Sequence, residues 1–153
     1  MTTALLRQYD RGVAWLAGRL PESMMLLFVR IAFAGIFWRS GRSKLVEGSW
    51  FTISDTTYEL FRTEYAGVPL PPELATVTAA GAEHLFPVLL VLGLFTRLSA
   101  IALLVMTMVI QIFVYPEAWW PVHSLWVALA LVLILRGGGL FSLDAPLARR
   151  VRQ

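Results

Sequence analysis

The chain has 153 residues, 58% of them hydrophobic and only 15% charged, with a mean hydropathy of +0.68. Soluble domains run about 45–50% apolar and about 25% charged, and a chain this small exposes too much surface to hide the excess in a water-surrounded core. These numbers exclude an ordinary soluble domain and a disordered chain alike; the lack of cysteine excludes disulfides, thiolate metal sites and cysteine nucleophiles.

In chain order, residues 1–20 place Leu5, Leu6, Tyr9, Val13, Leu16 and Leu20 on one stripe at helical spacing, with Arg7, Asp10 and Arg11 facing away. The stripe reads as a helix lying in a bilayer interface, or as a helix packed against the rest of the protein; both can hold. Its apolar residues are periodic and no small-residue cleavage site follows, so it is not a secretory signal. A first span runs from about Met24 to Lys44, close to the roughly 20 residues that a crossing needs. The connection Leu45–Pro71 is the only long one. It predicts a short helix around Asp55–Tyr65, capped by Ser54 or Asp55. It ends in VPLPP, where Pro69, Pro71 and Pro72 stop one helix and seed the next. A second span, Pro72–Phe95, and a third, Leu98–Tyr115, form a hairpin through Thr96-Arg97. Pro116–Ala118 leads to a fourth span, Trp119–Leu135, and a tail over 136–153. Helices satisfy every backbone group within each segment, and the runs lack the alternation of a membrane barrel. The prediction is an all-α membrane protein: one domain, a four-transmembrane-helix bundle with an N-terminal interfacial helix and a short helix in the first outer loop.

Charge sets the orientation. With the N-terminus in the cytoplasm, that side carries eight cations: Arg7, Arg11, Arg19, Arg97, Arg136, Arg149, Arg150 and Arg152. The other side carries four: Arg39, Arg42, Lys44 and Arg62. The positive-inside rule then predicts both termini in the cytoplasm, and, for a bacterial protein, the long loop in the periplasm. Trp38, Trp50, Phe51, Tyr115, Trp119 and Trp120 gather at the outer interface as an aromatic belt. The basic balance reflects orientation in a lipid bilayer and carries no nucleic-acid footprint.

A charge at mid-bilayer costs about 2.5–3.5 kcal/mol on insertion scales, so each one needs a partner or a task. At about 1.5 Å rise per residue, Glu83 lies about 15 Å below the outer boundary and Arg30 about 9 Å above the inner one. An Arg30–Glu83 ion pair across the first two helices is the structural expectation, with Arg39 as a competing partner. The functional expectation is that Glu83 exchanges protons. Gly41 shares a helix face with Arg30, and Lys44 lies about 40° away. With Gln111, His123 and His84, these residues suggest a cup open to the outer side, walled by Tyr115 and Trp126. The packing alternative is that Lys44 and His123 snorkel to the interface and Gln111 bridges helices. His84 and His123 differ in depth by about 13 Å, too far for axial haem ligation. No metal spacing is present, and Gly137-Gly138-Gly139 reads as a helix end and turn.

Taken in order, several motifs resemble the DoxX family of small four-helix membrane proteins, over roughly Met24 to Leu147. They are Arg30 and Gly35, SGRSKL at 40–45, FRTEYAGVPLPPELA at 61–75, and Glu83. LFPVLLVLGLFTRLSA at 85–100 and MTMVIQIFVYPEAW at 106–119 follow, then His123 and Trp126. The last stretch is similar to a branch often encoded beside copper-binding secreted peptides of the bufferin type. The resemblance implies a polar core of Arg30, Gly41, Lys44 and Glu83, and a membrane partner in oxidative or thiol-stress systems; the family takes its name from a thiosulfate:quinone oxidoreductase subunit. Arg39-Ser40 departs from relatives that carry an apolar residue or His before the glycine. Two functions follow. One is a redox-accessory subunit binding a quinone-like ligand among Arg30, Gly41, Lys44, Glu83, Gln111 and His123, with a membrane or periplasmic protein partner supplying electrons. The other is a non-enzymatic scaffold or transport component for a secreted copper-binding system, docking through Leu45–Pro71.

Overall fold

A computed structural model describes residues 2–151. Among them lie seven α-helices: α1 (Thr2–Leu16), α2 (Arg19–Ser43), α3 (Asp55–Thr63), α4 (Pro72–Leu92), α5 (Thr96–Phe113), α6 (Ser124–Arg136) and α7 (Asp144–Val151). No strand forms among the described residues; a single bridge pairs Leu45 with Ile53 across the outer loop. Four segments are long and apolar enough to cross a membrane: α2, α4, α5 and Pro116–Arg136, which contains α6. The protein is therefore a multi-pass membrane protein built as a four-helix bundle.

Its inside and outside follow from one rule, that lipid is as good a solvent for leucine as a core is. Leu26, Phe33, Phe37, Leu90, Leu103 and Leu133 fill the centre, with Ala34, Ala100 and Ala130 letting the helices approach. Phe28, Leu85, Ile101, Val105, Leu125 and Leu131 stay exposed and form the lipid-facing surface. Helix α2 packs chiefly on α4, and α5 on α6 and α4.

The ends are set by local chemistry. Ser54 caps α3, its hydroxyl accepting from the Thr57 N–H at 3.2 Å. The helix α4 starts with Pro72 in its first turn. It stops at Gly93, whose φ of +68° is left-handed. There the Gly93 N–H reaches the Leu90 carbonyl and the Leu94 N–H the Leu89 carbonyl, a Schellman ending. Before α6 the chain makes a 3₁₀ turn, Pro116–Ala118, and a wide π turn, Trp119–His123. Pro121 has no N–H to donate there, and the Ser124 N–H reaches back to the Trp119 carbonyl. The fourth crossing thus begins as irregular backbone where a continuous helix was predicted from Trp119.

The segment after α6 folds back across the end of the bundle where α2 begins, the inner end in the expected orientation. The Asp144 carboxylate caps α5, accepting from the Phe95 and Thr96 N–H groups at 2.8 Å each. The Asp144 N–H donates to the Gly93 carbonyl at 2.9 Å. At the other terminus, α1 is exposed on both faces, Tyr9, Val13 and Leu16 of the amphipathic stripe as well as Asp10 and Arg11 opposite, so the stripe is not buried against the bundle and is open to the bilayer interface. The side chains of Leu5 and Leu6 in that stripe, and those of Arg149, Arg150 and Arg152 in the basic tail, lie outside the described residues.

Candidate functional site

Arg30, Gly41 and Lys44 all lie on the face of α2 that meets α4, but they do different work. A Cβ on Gly41 would stand 2.9 Å from the His84 ring and 3.0 Å from the Glu83 Cβ. Glycine therefore lets α2 and α4 close together at this level. One turn on, Lys44 Nζ reaches Glu83 Oε2 at 2.6 Å, with only 9% and 3% of the two side chains exposed. Ser40 completes the group. Its Oγ donates to Glu83 Oε1 at 3.2 Å, and the Lys44 ammonium donates to that hydroxyl at 3.1 Å and to the Ser40 carbonyl at 3.4 Å. The Lys44 carbonyl accepts from the Ser54 N–H at 3.0 Å and from Thr57 Oγ1 at 2.9 Å. The start of α3 is thereby tied to the pair.

The expected Arg30–Glu83 ion pair does not form. Arg30 is fully buried, yet its guanidinium donates to the carbonyls of Leu90 at 3.3 Å and Val91 at 3.5 Å, and to that of Phe141. Leu90 lies seven residues past Glu83, about 10 Å along α4. The reason is directional. Helical side chains lean toward their own N-terminus, and α2 begins at the inner end, so Arg30 leans inward. There the last carbonyls of α4 carry partial negative charge and have a lone pair to spare for a cation, that of Leu90 even while it accepts from the Gly93 N–H. Lys44, at the outer end of the same helix, leans inward by the same rule and so reaches Glu83. Arg39, the other candidate partner, is exposed.

The predicted cup also divides. Gln111 and His123 bind each other, with His123 Nδ1 2.7 Å from Gln111 Oε1, and Gln111 Nε2 donates to the Pro116 carbonyl at 2.7 Å. His123 packs on Trp126, which packs on Phe37. Neither Gln111 nor His123 lines the cavity that holds the ion pair. Their hydrogen bonds organise the irregular turn before α6. Trp126 belongs to that packing, whereas Tyr115 joins the outer aromatic group: Phe61 stacks on Tyr65 at 4.5 Å, Tyr65 meets Tyr115 edge-on at 6.2 Å, and the Tyr115 hydroxyl donates to Glu64. Burial, with Tyr115, Glu83 and Glu64 nearby, pushes the Tyr65 phenol up to about 12.

What remains is a cavity of about 230 Å³ between α4 and α5. Ala79, Ala82 and Ala102 make room for it, Phe61 and Tyr65 from α3 and the outer loop roof it, and Lys44 and Glu83 are its charged groups. Val105 on its wall is exposed to the lipid side. Three contributors escaped the sequence reading. Ser40 enters the sequence reading in the SGRSKL motif and as a departure from relatives, with no role of its own, although its spacing of four from Lys44 puts both on one face. Tyr65 enters it as the end of a short helix and within the motif at 61–75, with no role of its own. Pro87, one turn after Glu83, has no N–H for the Glu83 carbonyl, so the helical ladder of α4 is interrupted at this residue. His84 Nδ1 contacts the Ala80 carbonyl at 2.7 Å, while its buried Nε2 has no partner among the described residues.

The chain is 30% identical to an uncharacterized protein of Haemophilus influenzae, over 82% of this chain and 84% of that relative. No solved structure matches it. The DoxX family model matches residues 25–116, more than half of the chain, from the second turn of α2 to the turn before α6 and so including Arg30, Gly41, Lys44 and Glu83. This protein belongs to the DoxX family.

Proposed function

We propose that the protein is an accessory subunit of a membrane redox or stress-response system in the bacterial inner membrane, and that it seats a quinone-like ring between α4 and α5. The observation that carries this reading is the Lys44–Glu83 pair, a buried acid and base set in the wall of an otherwise apolar cavity. Intramembrane ions at a cavity mark ligand or proton pathways more often than they mark bare stability. The volume is below the roughly 300–1,000 Å³ of pockets for drug-sized ligands. It therefore suits one ring, with an isoprenoid tail leaving past Val105 into lipid.

The chemistry needs little else from this chain. Quinone reduction takes up two electrons and two protons. The Lys44 ammonium exchanges its long contact to the Ser40 carbonyl for one ring carbonyl, and Glu83 relays one proton to that oxygen; the second proton reaches the other ring oxygen from the partner that supplies the electrons. Electrons come from a partner protein. The roof residues Phe61 and Tyr65 exclude water and offer aromatic faces to the ring. The excess of arginine at the ends of the bundle where α2 begins and α6 ends supports a cytoplasmic placement of both termini, and with it a cavity nearer the periplasmic side.

The test is binding of a short-chain ubiquinone analogue to the detergent-purified protein, read by quenching of tryptophan fluorescence and by melting temperature. Saturable binding that weakens at least tenfold in Glu83→Gln, while Gln111→Ala binds as the parent does, supports the proposal. Equal binding by the parent and Glu83→Gln refutes it.

A further inference from the structure

The opposite end of the bundle holds a second polar cavity, about 430 Å³, lined by Arg19 at the start of α2, Arg97 in the first turn of α5 and Arg136 at the end of α6. Three guanidinium groups thus come to one cavity from separate elements of the chain. Glu22 is the carboxylate that lines it, and it is paired with Arg136. Its single negative charge leaves the cavity with a net charge of about +2 at neutral pH. An arginine carries five N–H donors. Arg97 gives one hydrogen bond, to the Leu135 carbonyl at 3.3 Å, Arg136 turns its Nε and Nη2 to Glu22, and no side-chain hydrogen bond of Arg19 is seen among the described residues. Among the described residues, most of the donors are left to meet an anion.

The surroundings identify what kind of anion. Each arginine adjoins an exposed leucine in the sequence: Leu20 is 52% exposed, Leu98 60% and Leu135 72%. These residues close the inner ends of the apolar crossings, so cationic groups at headgroup depth sit directly beside side chains that lie against acyl chains. Basic pockets between transmembrane helices at this level bind phospholipid headgroups. We infer that this cavity is a binding site for the phosphate of an anionic phospholipid such as phosphatidylglycerol, held by Arg19, Arg97 and Arg136 with its acyl chains along Leu20, Leu98 and Leu135. A bound lipid would brace α2, α5 and α6 at their inner ends, where the segment after α6 crosses.

The experiment compares the melting temperature of the dodecyl maltoside-purified protein with added phosphatidylglycerol, phosphatidylcholine or inorganic phosphate, and counts retained lipid by native mass spectrometry. Phosphatidylglycerol raises the melting temperature and stays bound; phosphatidylcholine and free phosphate do neither. Arg19→Gln, which breaks no side-chain hydrogen bond seen among the described residues, weakens phosphatidylglycerol binding about fivefold, the size expected for one cation near a lipid surface. It leaves the melting temperature in phosphatidylcholine unchanged. High salt shrinks the difference between the two lipids. Equal effects of the two lipids overturn the inference, as does a rise with inorganic phosphate matching that with phosphatidylglycerol, which assigns the cavity to a free anion. Should Arg19→Gln melt lower in every lipid, the retained-lipid count decides: undiminished phosphatidylglycerol overturns the site, a fall supports it.

Discussion

Replacing Lys44 with methionine strands the Glu83 carboxylate in a buried position, with the Ser40 hydroxyl as its one remaining hydrogen-bond donor among the described residues. Breaking a buried pair from one side costs about 3–5 kcal/mol, because the surviving charge has neither water nor partner. Glu83→Gln is milder. The ammonium keeps Ser40 Oγ and the Ser40 carbonyl and can still donate to a neutral amide oxygen, so the cost is about 1–3 kcal/mol. The double variant removes both charges, and replacing a whole buried pair is close to neutral. Its cost is about 1–2 kcal/mol, mainly from imperfect packing and the amide left on Ser40. The two single changes therefore exceed the double by at least about 2 kcal/mol, well beyond the roughly 0.3–0.5 kcal/mol scatter of independent sites. The assay is reversible unfolding in mixed micelles, raising the dodecyl sulfate fraction in dodecyl maltoside and following helicity by circular dichroism. Additive costs would falsify the claim that Lys44 and Glu83 act as one unit, and would return Glu83 to some other partner.

Two further outcomes follow from the inner end and the outer roof. Gly93→Ala asks for a side chain at φ +68°, worth about 1–2 kcal/mol alone, and its Cβ would stand 1.9 Å from Arg30 Nη1 and 2.5 Å from the Ser142 Cβ. The guanidinium must move, so the variant loses more than 2 kcal/mol in the same micelle titration and its segment after α6 becomes a site of protease cleavage; a loss under 1 kcal/mol contradicts the role given to Arg30. At the roof, the Tyr65 phenol is held up to about 12 against an ordinary value near 10. The native state thus holds that proton more tightly than the unfolded one. Its contribution is whole below pH 10 and drains away as pH climbs toward 12. Tyrosinate absorbance should show a late-titrating phase that disappears in Tyr65→Phe; a phase unchanged by that substitution refutes the burial of this ring.

The crossings were legible because hydropathy is a sum over some twenty residues, and no local exception can overturn it. Glu83 was legible for a related reason, since one carboxylate in such a run is conspicuous. Its partner was not. The expectation placed Arg30 and Glu83 by the depth of their Cα atoms, and long cations are placed by where their side chains end. Arg30 and Lys44 lean the same way along α2, so each ends nearer the inner side than its Cα. Applied to the sequence, that rule separates Arg30 from Glu83 and sends Lys44 down to it. Gln111 and His123 failed for another reason. Their depths fitted a common cup, but depth leaves azimuth open, and the π turn before α6 sets the azimuth of His123 in a way that a continuous helix from Trp119 does not.

The placing of these two cations also accounts for where the cavity opens. Arg30 holds the inner end of α4 and Lys44 its middle, both from the side of α2. With that face fixed at two heights, α4 need not pack tightly along its opposite face. There the alanines at 79 and 82 meet Ala102 of α5 and leave space. In a soluble protein such a gap would collapse or fill with water. In a bilayer the competing occupant is an acyl chain, which has no group to offer an ammonium and a carboxylate. On the proposed reading, an occupant that is apolar along its length and carries a hydrogen-bonding oxygen at one end has the advantage over lipid. That preference is built from one glycine, one serine and two charges on a helix pair, under a roof that α3 and the outer loop already supply.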